Sequence, residues 1–123
     1  MEDNETVIRR FIADWSSLDP DLLVAYFTED GVYHNMPMKP VAGHAALRAF
    51  IAGFLRDWQK TDWEIVYLLS RGDLVMAERI DRTVAGGRPV ELPCLGVFEM
   101  RDGRIAVWRD YFDMAIYTRA VSG

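Results

Sequence analysis

The sequence predicts an α+β domain, with helices in its first half packed on one side of a strongly curved sheet that closes as a cone around a pocket. Three observations carry this. Apolar residues recur at helical spacing up to about residue 58. Four strand-like runs follow, "DWEIVYLLS", "DLVMAERIDRTVA", "PVELPCLGVFEMR" and "RIAVWRDYFD". The turns between them, "RGD", "AGGR" and "RDGR", each carry glycine where a hairpin needs it. Helices first and a meander after is an α+β order, and no linker or repeat divides residues 1–123, which read as a single domain.

In the first helix Val7, Ile8, Phe11, Ile12, Trp15 and Leu18 share one face. A second helix is expected over "LDPDLLVAYFTEDG", with Asp19 as N-cap, Pro20 at the first helical position and Gly31 past its end. "VYHNM" reads as a short strand stopped by Pro37 and Pro40. Gly43 opens a third helix whose apolar face holds Leu47, Phe50, Ile51, Phe54, Leu55 and Trp58. A short helix, "DMAIYTRAV", closes the chain.

Charge and composition exclude several functions. The net charge of −5 and the scattered arginines speak against nucleic acid, whose phosphates need clustered Lys and Arg. No apolar run is long enough to span a membrane, and the N-terminus "MEDNETVIRRF" is no signal peptide. The single cysteine, Cys94, rules out an internal disulfide and fits a reducing cytoplasm, which is the expected location. His34 and His44 lack the close ligand spacing of a zinc site, and no glycine-rich phosphate loop is present. No metal is expected.

Chemistry enters through strand parity, because side chains alternate across a strand. Ala106, Trp108, Asp110 and Phe112 share one face of the last strand, while Ile105, Val107, Arg109 and Tyr111 share the other. Val75, Ala77, Arg79, Asp81 and Thr83 share a face of "MAERID" and its flanks. Tyr33 and Asn35 share a face opposite Val32, His34 and Met36. If these faces line one cavity, two carboxylates stand there with a guanidinium, a phenol and an amide. Isolated buried carboxylates are costly, so Asp81 and Asp110 need a partner, and the planar fork of Arg79 can bind both. Burial and mutual repulsion then keep one proton between the two acids, which supplies a general acid and a general base together. The plainer reading of Arg-x-Asp on a strand is a surface ion pair, and that of Trp108 and Cys94 is core packing.

The segments "YHNMP", "ERID", "LGVFEMRDGRI" and "WRDYFD", in this order, resemble limonene-1,2-epoxide hydrolases, with the likeness strongest over Tyr26–Pro37 and Met76–Asp113. The resemblance implies the cone-shaped fold shared with nuclear transport factor 2 and ketosteroid isomerase, a curved mixed sheet around a deep apolar pocket. It implies an Asp-Arg-Asp triad of Asp81, Arg79 and Asp110, with Tyr33 and Asn35 holding a water. It implies one-step hydrolysis of a small apolar or cyclic epoxide to a vicinal diol, with no covalent intermediate and no cofactor. Leu92, Cys94 and Phe112 fall at pocket positions of the family. A homodimer across the sheet face is implied too; Ile105, Val107 and Tyr111, opposite the catalytic face, could serve such an interface or could equally pack under helices. Two other functions use the same cone: an isomerase or cyclase, with one Asp as base and a Tyr or protonated Asp as oxyanion donor, and a non-catalytic small-molecule binding module.

Overall fold

A computed structural model describes residues 2–122. Helix α1 spans Asn4–Asp14, capped by the Asp3 side chain on the Thr6 amide, and buries Val7, Ile8, Phe11 and Ile12. A 3-10 turn over Trp15–Ser17 leads to α2, Pro20–Val24, where Asp19 caps and Pro20 starts the helix. Strand β1 spans Phe27–Asn35, and β2 is the pair Val41–Ala42. Helix α3 covers His44–Leu55. Four strands follow: β3 Trp58–Arg71, β4 Leu74–Ala85, β5 Arg88–Arg101 and β6 Arg104–Tyr111. Helix α4, Met114–Ser122, ends the described chain. Among the described residues no helix is long and apolar enough to cross a membrane.

The sheet order is β2-β1-β6-β5-β4-β3. β1 and β6 pair in parallel and every other pair is antiparallel, so the sheet is mixed. The hairpins at Gly86–Gly87 and Asp102–Gly103 each place two residues at positive φ, as a tight turn matched to strand twist requires. The inner face and helices α1 and α3 enclose an aromatic core of Phe11, Trp15, Phe27, Phe98 and Trp108.

The element boundaries differ from the sequence expectation in several places, β1 for one beginning at Phe27 rather than Val32. The second helix stops at Val24, not near Gly31. Leu23 and Phe27 are both buried and four residues apart, so the apolar spacing reads equally as a helical face. Gly31 instead sits in an irregularity of β1, where a Cβ would stand 3.0 Å from Phe27 Cβ. Trp58 begins β3 rather than ending α3, although it continues the spacing of Leu55. The two-residue strand β2 carries no periodicity and was beyond the reach of pattern reading.

Parity holds along β4, where Val75, Ala77, Arg79, Asp81 and Thr83 are all buried. In β6 it breaks once. Glu99 pairs with Val107 and Met100 with Ile105, so Ala106 is the extra residue of a bulge. Ile105 is therefore fully buried in the core rather than opposite the face that carries Asp110. The opposite face of the sheet carries the exposed residues Tyr67, Leu69, Leu74, Met76, Leu95 and Tyr111.

Candidate active site

Register brings the charged groups together. Asn35 pairs with Asp110 across the β1–β6 ladder, and Tyr33 pairs with Trp108. Arg79 pairs with Cys94, Asp81 with Leu92, and Gly96 pairs with both Ala77 and Asp110. β5 thus lies between the strand that carries Arg79 and the strand that carries Asp110. Arg79 reaches across it over Gly96, where a Cβ would stand 2.7 Å from Arg79 Nη1 and 3.2 Å from Asp110 Oδ1. Only glycine leaves that passage open. A lone glycine inside the apolar run "CLGVFEM" is a sequence signal for close approach of other groups to the backbone, and the site depends on it.

Arg79 is fully buried and grips both acids. Nε donates to Asp81 Oδ1 at 3.0 Å and Nη2 to Asp81 Oδ2 at 2.9 Å. Nη1 donates to Asp110 Oδ1 and Nη2 to Asp110 Oδ2, each at 2.8 Å. Each carboxylate therefore receives a two-point grip, the strongest form of this contact. Indole rings brace the guanidinium, with its carbon 4.6 Å from the Trp63 centroid and 5.7 Å from the Trp108 centroid. Trp63 is held in turn by its Nε1–H on Thr61 Oγ1 at 2.9 Å and by stacking on Trp15 at 4.3 Å.

Trp108 is core, as its burial requires, and also more than core. Its Nε1–H donates to Asp110 Oδ1 at 3.2 Å, and its ring stacks on Tyr33 at 4.1 Å with 3° between the planes. It thereby orients three of the five site groups. Its place two residues before Asp110 on one strand face was the signal for this role.

Burial is the main electrostatic influence. It raises the pKa of Asp81 above the ordinary carboxyl value; Arg79 opposes this and the charge of Asp110 adds to it. Burial opposes the charge of Arg79, yet Asp110 and Asp81 outweigh it and hold the guanidinium well above its usual pKa. Burial also holds Tyr33 far above the usual phenol value, with Asp110 adding, so Tyr33 is a neutral donor and acceptor. Burial pushes the Cys94 thiol up, and Asp81 pushes further. Cys94 Sγ lies 3.5 Å from Asp81 Oδ2 and 3.4 Å from the Leu92 carbonyl, so the thiol touches the acid from behind.

A cavity of about 130 Å³ opens at this point. Tyr33, Asn35, Asp81 and Asp110 form its polar end. Its walls are apolar, from Met38, Phe54, Trp58, Trp63, Leu92 and Phe112, with Met114 and Tyr117 contributed by α4. Of the residues expected at the pocket, Leu92 and Phe112 line it, whereas Cys94 stands beneath Asp81, outside the lining. Ligand atoms of Asp81, Cys94 and Asp110 come within 4.8 Å of one another, close enough for a metal cage. The Arg79 guanidinium already bridges the two carboxylates as their cation, so this donor set does not fit a metal ion unless Arg79 is displaced.

The SnoaL-like domain model matches residues 8–108. Over 110 residues the chain is 32% identical to the epoxide hydrolase EphG of Mycobacterium tuberculosis, covering 87% of this chain and 71% of that protein. A solved LEH-like epoxide hydrolase of M. tuberculosis matches with TM-score 0.83 and 26% identity over 98% of this chain and 90% of that one. SalBIII, an epoxide hydrolase/cyclase-like enzyme of pyran ring formation in the polyether salinomycin, shares the fold, with TM-score 0.82 and 18% identity over 91% and 92%. The chain therefore belongs to the SnoaL-like family, with an epoxide hydrolase among its relatives there.

Proposed function

We propose that the protein is an epoxide hydrolase that adds water in one step to a small apolar epoxide. The observation that carries this reading is the buried pair of carboxylates on one guanidinium, at the polar end of an otherwise apolar cavity. Asp110, Tyr33 and Asn35 hold a water. Asp110 takes one of its protons as the water oxygen forms its bond to an epoxide carbon. The carbon–oxygen bond on that carbon breaks, and Asp81 gives its proton to the released oxygen. Water and epoxide become a vicinal diol. The proton now on Asp110 must return to Asp81 before the next cycle, while Arg79 remains a cation between them throughout. The raised pKa of Asp81 supports its assignment as the acid. An apolar cavity of ~150 Å³ admits benzene, so the cavity here suits a single ring.

The test is conversion of cyclohexene oxide to its diol, with kcat/KM followed against pH. Asp81 must be protonated to act, so kcat/KM falls as pH rises through its raised pKa. The fall therefore comes at higher pH than the ordinary carboxyl range near ~4. The same shift couples to stability: the contribution of Asp81 is fully present below its unfolded pKa and is lost as pH rises through the folded one. No diol, or an alkaline fall at the ordinary carboxyl value, contradicts the assignment.

A further inference from the structure

Helix α4 forms part of the cavity wall yet is weakly held. None of its residues is fully buried. Ile116, Tyr117, Ala120 and Val121 rest, half-buried, on Ala85, Val90, Leu92 and Cys94. Among the described residues a single hydrogen bond ties α4 to another element, from Trp58 Nε1–H to Tyr117 Oη at 3.0 Å. The remaining side-chain bonds of α4 are local, Ala115 N to Asp113 and Ser122 to Thr118. Elements with few buried contacts open at the low end of the stability range.

The two partners of this bond are unequal. The Trp58 ring lies parallel to Phe54, with 6.0 Å between centroids, and 6.1 Å from Trp15, so it is fixed to the body of the domain. Tyr117 sits on the loosely held helix. Both side chains line the cavity. The bond satisfies the Trp58 N–H, with Tyr117 Oη as acceptor, while the Tyr117 O–H has no acceptor among the described residues. With the bond made, the cavity has the volume of about one ring. A larger ligand either extends through the open side of the cavity or displaces a wall, and α4 supplies two of the wall residues, Met114 and Tyr117.

We propose that the Trp58–Tyr117 hydrogen bond is a latch that holds α4 over the cavity and sets the upper size of the epoxide accepted. This rests on the hydrolase reading for its substrate class. Breaking the bond populates the displaced helix by the factor that one neutral hydrogen bond carries, roughly threefold to tenfold.

The experiment compares wild type with Tyr117→Phe, which keeps the ring and loses the bond, and with Trp58→Phe, which removes the donor. Two readings are taken. Hydrogen exchange of amides 114–122 should speed up about threefold to tenfold, while the amides of β4 to β6 exchange as before. The ratio of kcat/KM for 1-phenylcyclohexene oxide over cyclohexene oxide should rise in both variants by a similar factor. Unchanged exchange in α4, or faster exchange with an unchanged or lower ratio, overturns the latch. If wild type hydrolyses neither epoxide, the hydrolase reading fails by itself. The latch is then judged from exchange and from the binding ratio of 1-phenylcyclohexanol to cyclohexanol, read by tryptophan fluorescence, with the same outcomes.

Discussion

Asp110→Asn and Asp81→Asn each lower diol formation by ~10²–10⁴-fold, the usual weight of one general acid or base. Both variants keep the wild-type far-ultraviolet circular dichroism spectrum. Asparagine is nearly isosteric with aspartate and retains one acceptor oxygen, so Arg79 keeps a contact at either site. What is lost is charge and proton chemistry. At position 110 the amide cannot accept a proton from water; at position 81 it has no acid proton to give. A binding module would keep its ligand affinity in both variants, which separates that reading from catalysis. Diol formation within tenfold of wild type in either variant would falsify the assigned roles.

Arg79→Met gives a large loss of stability. Methionine fills much of the same volume, but two carboxylates then face each other in a site where they are 6% and 3% exposed. Removing one partner of a buried ion cluster costs about 3–5 kcal/mol, because a charge is left uncompensated. In a domain of this size that lowers Tm by roughly 10–20 °C. The dependence on pH identifies the cause. Protonating either carboxyl removes the repulsion, so the Tm of the variant rises as pH is lowered from about 8 to about 5. Replacing Asp81 and Asp110 by leucine in the same background restores most of the loss, since an apolar trio needs no counter-charge. A loss below about 1 kcal/mol, the size of a surface ion pair, would mean that the cluster is not the buried keystone described.

Much of the site was legible from strand parity. Arg79 and Asp81 fall two apart on β4, and no bulge lies between them in its pairing with β5, so the rule of alternation held. Tyr33 and Asn35 were legible for the same reason. Parity says which residues share a face, however, and not which strands are neighbours. That Asp110 meets Arg79 depends on β5 lying between β4 and β6 with a glycine at the crossing point, a long-range pairing that no local pattern encodes. Ile105 went to the wrong face because a bulge at Ala106 adds one residue and reverses alternation on its far side. The ends of α2 and α3 were misread where apolar residues stand three or four apart across a helix–strand junction, at Leu23 and Phe27 and at Leu55 and Trp58. The latch between Trp58 and Tyr117 joins residues 59 positions apart and has no signature in sequence.

The most direct test of hydrolysis without a covalent intermediate is a single turnover in ¹⁸O-labelled water, with enzyme in excess over cyclohexene oxide. If Asp110 activates water, the diol carries one ¹⁸O from the first turnover and the protein carries none. If Asp110 or Asp81 instead attacks the epoxide, the first diol is unlabelled and ¹⁸O enters that carboxylate, which would contradict the mechanism proposed.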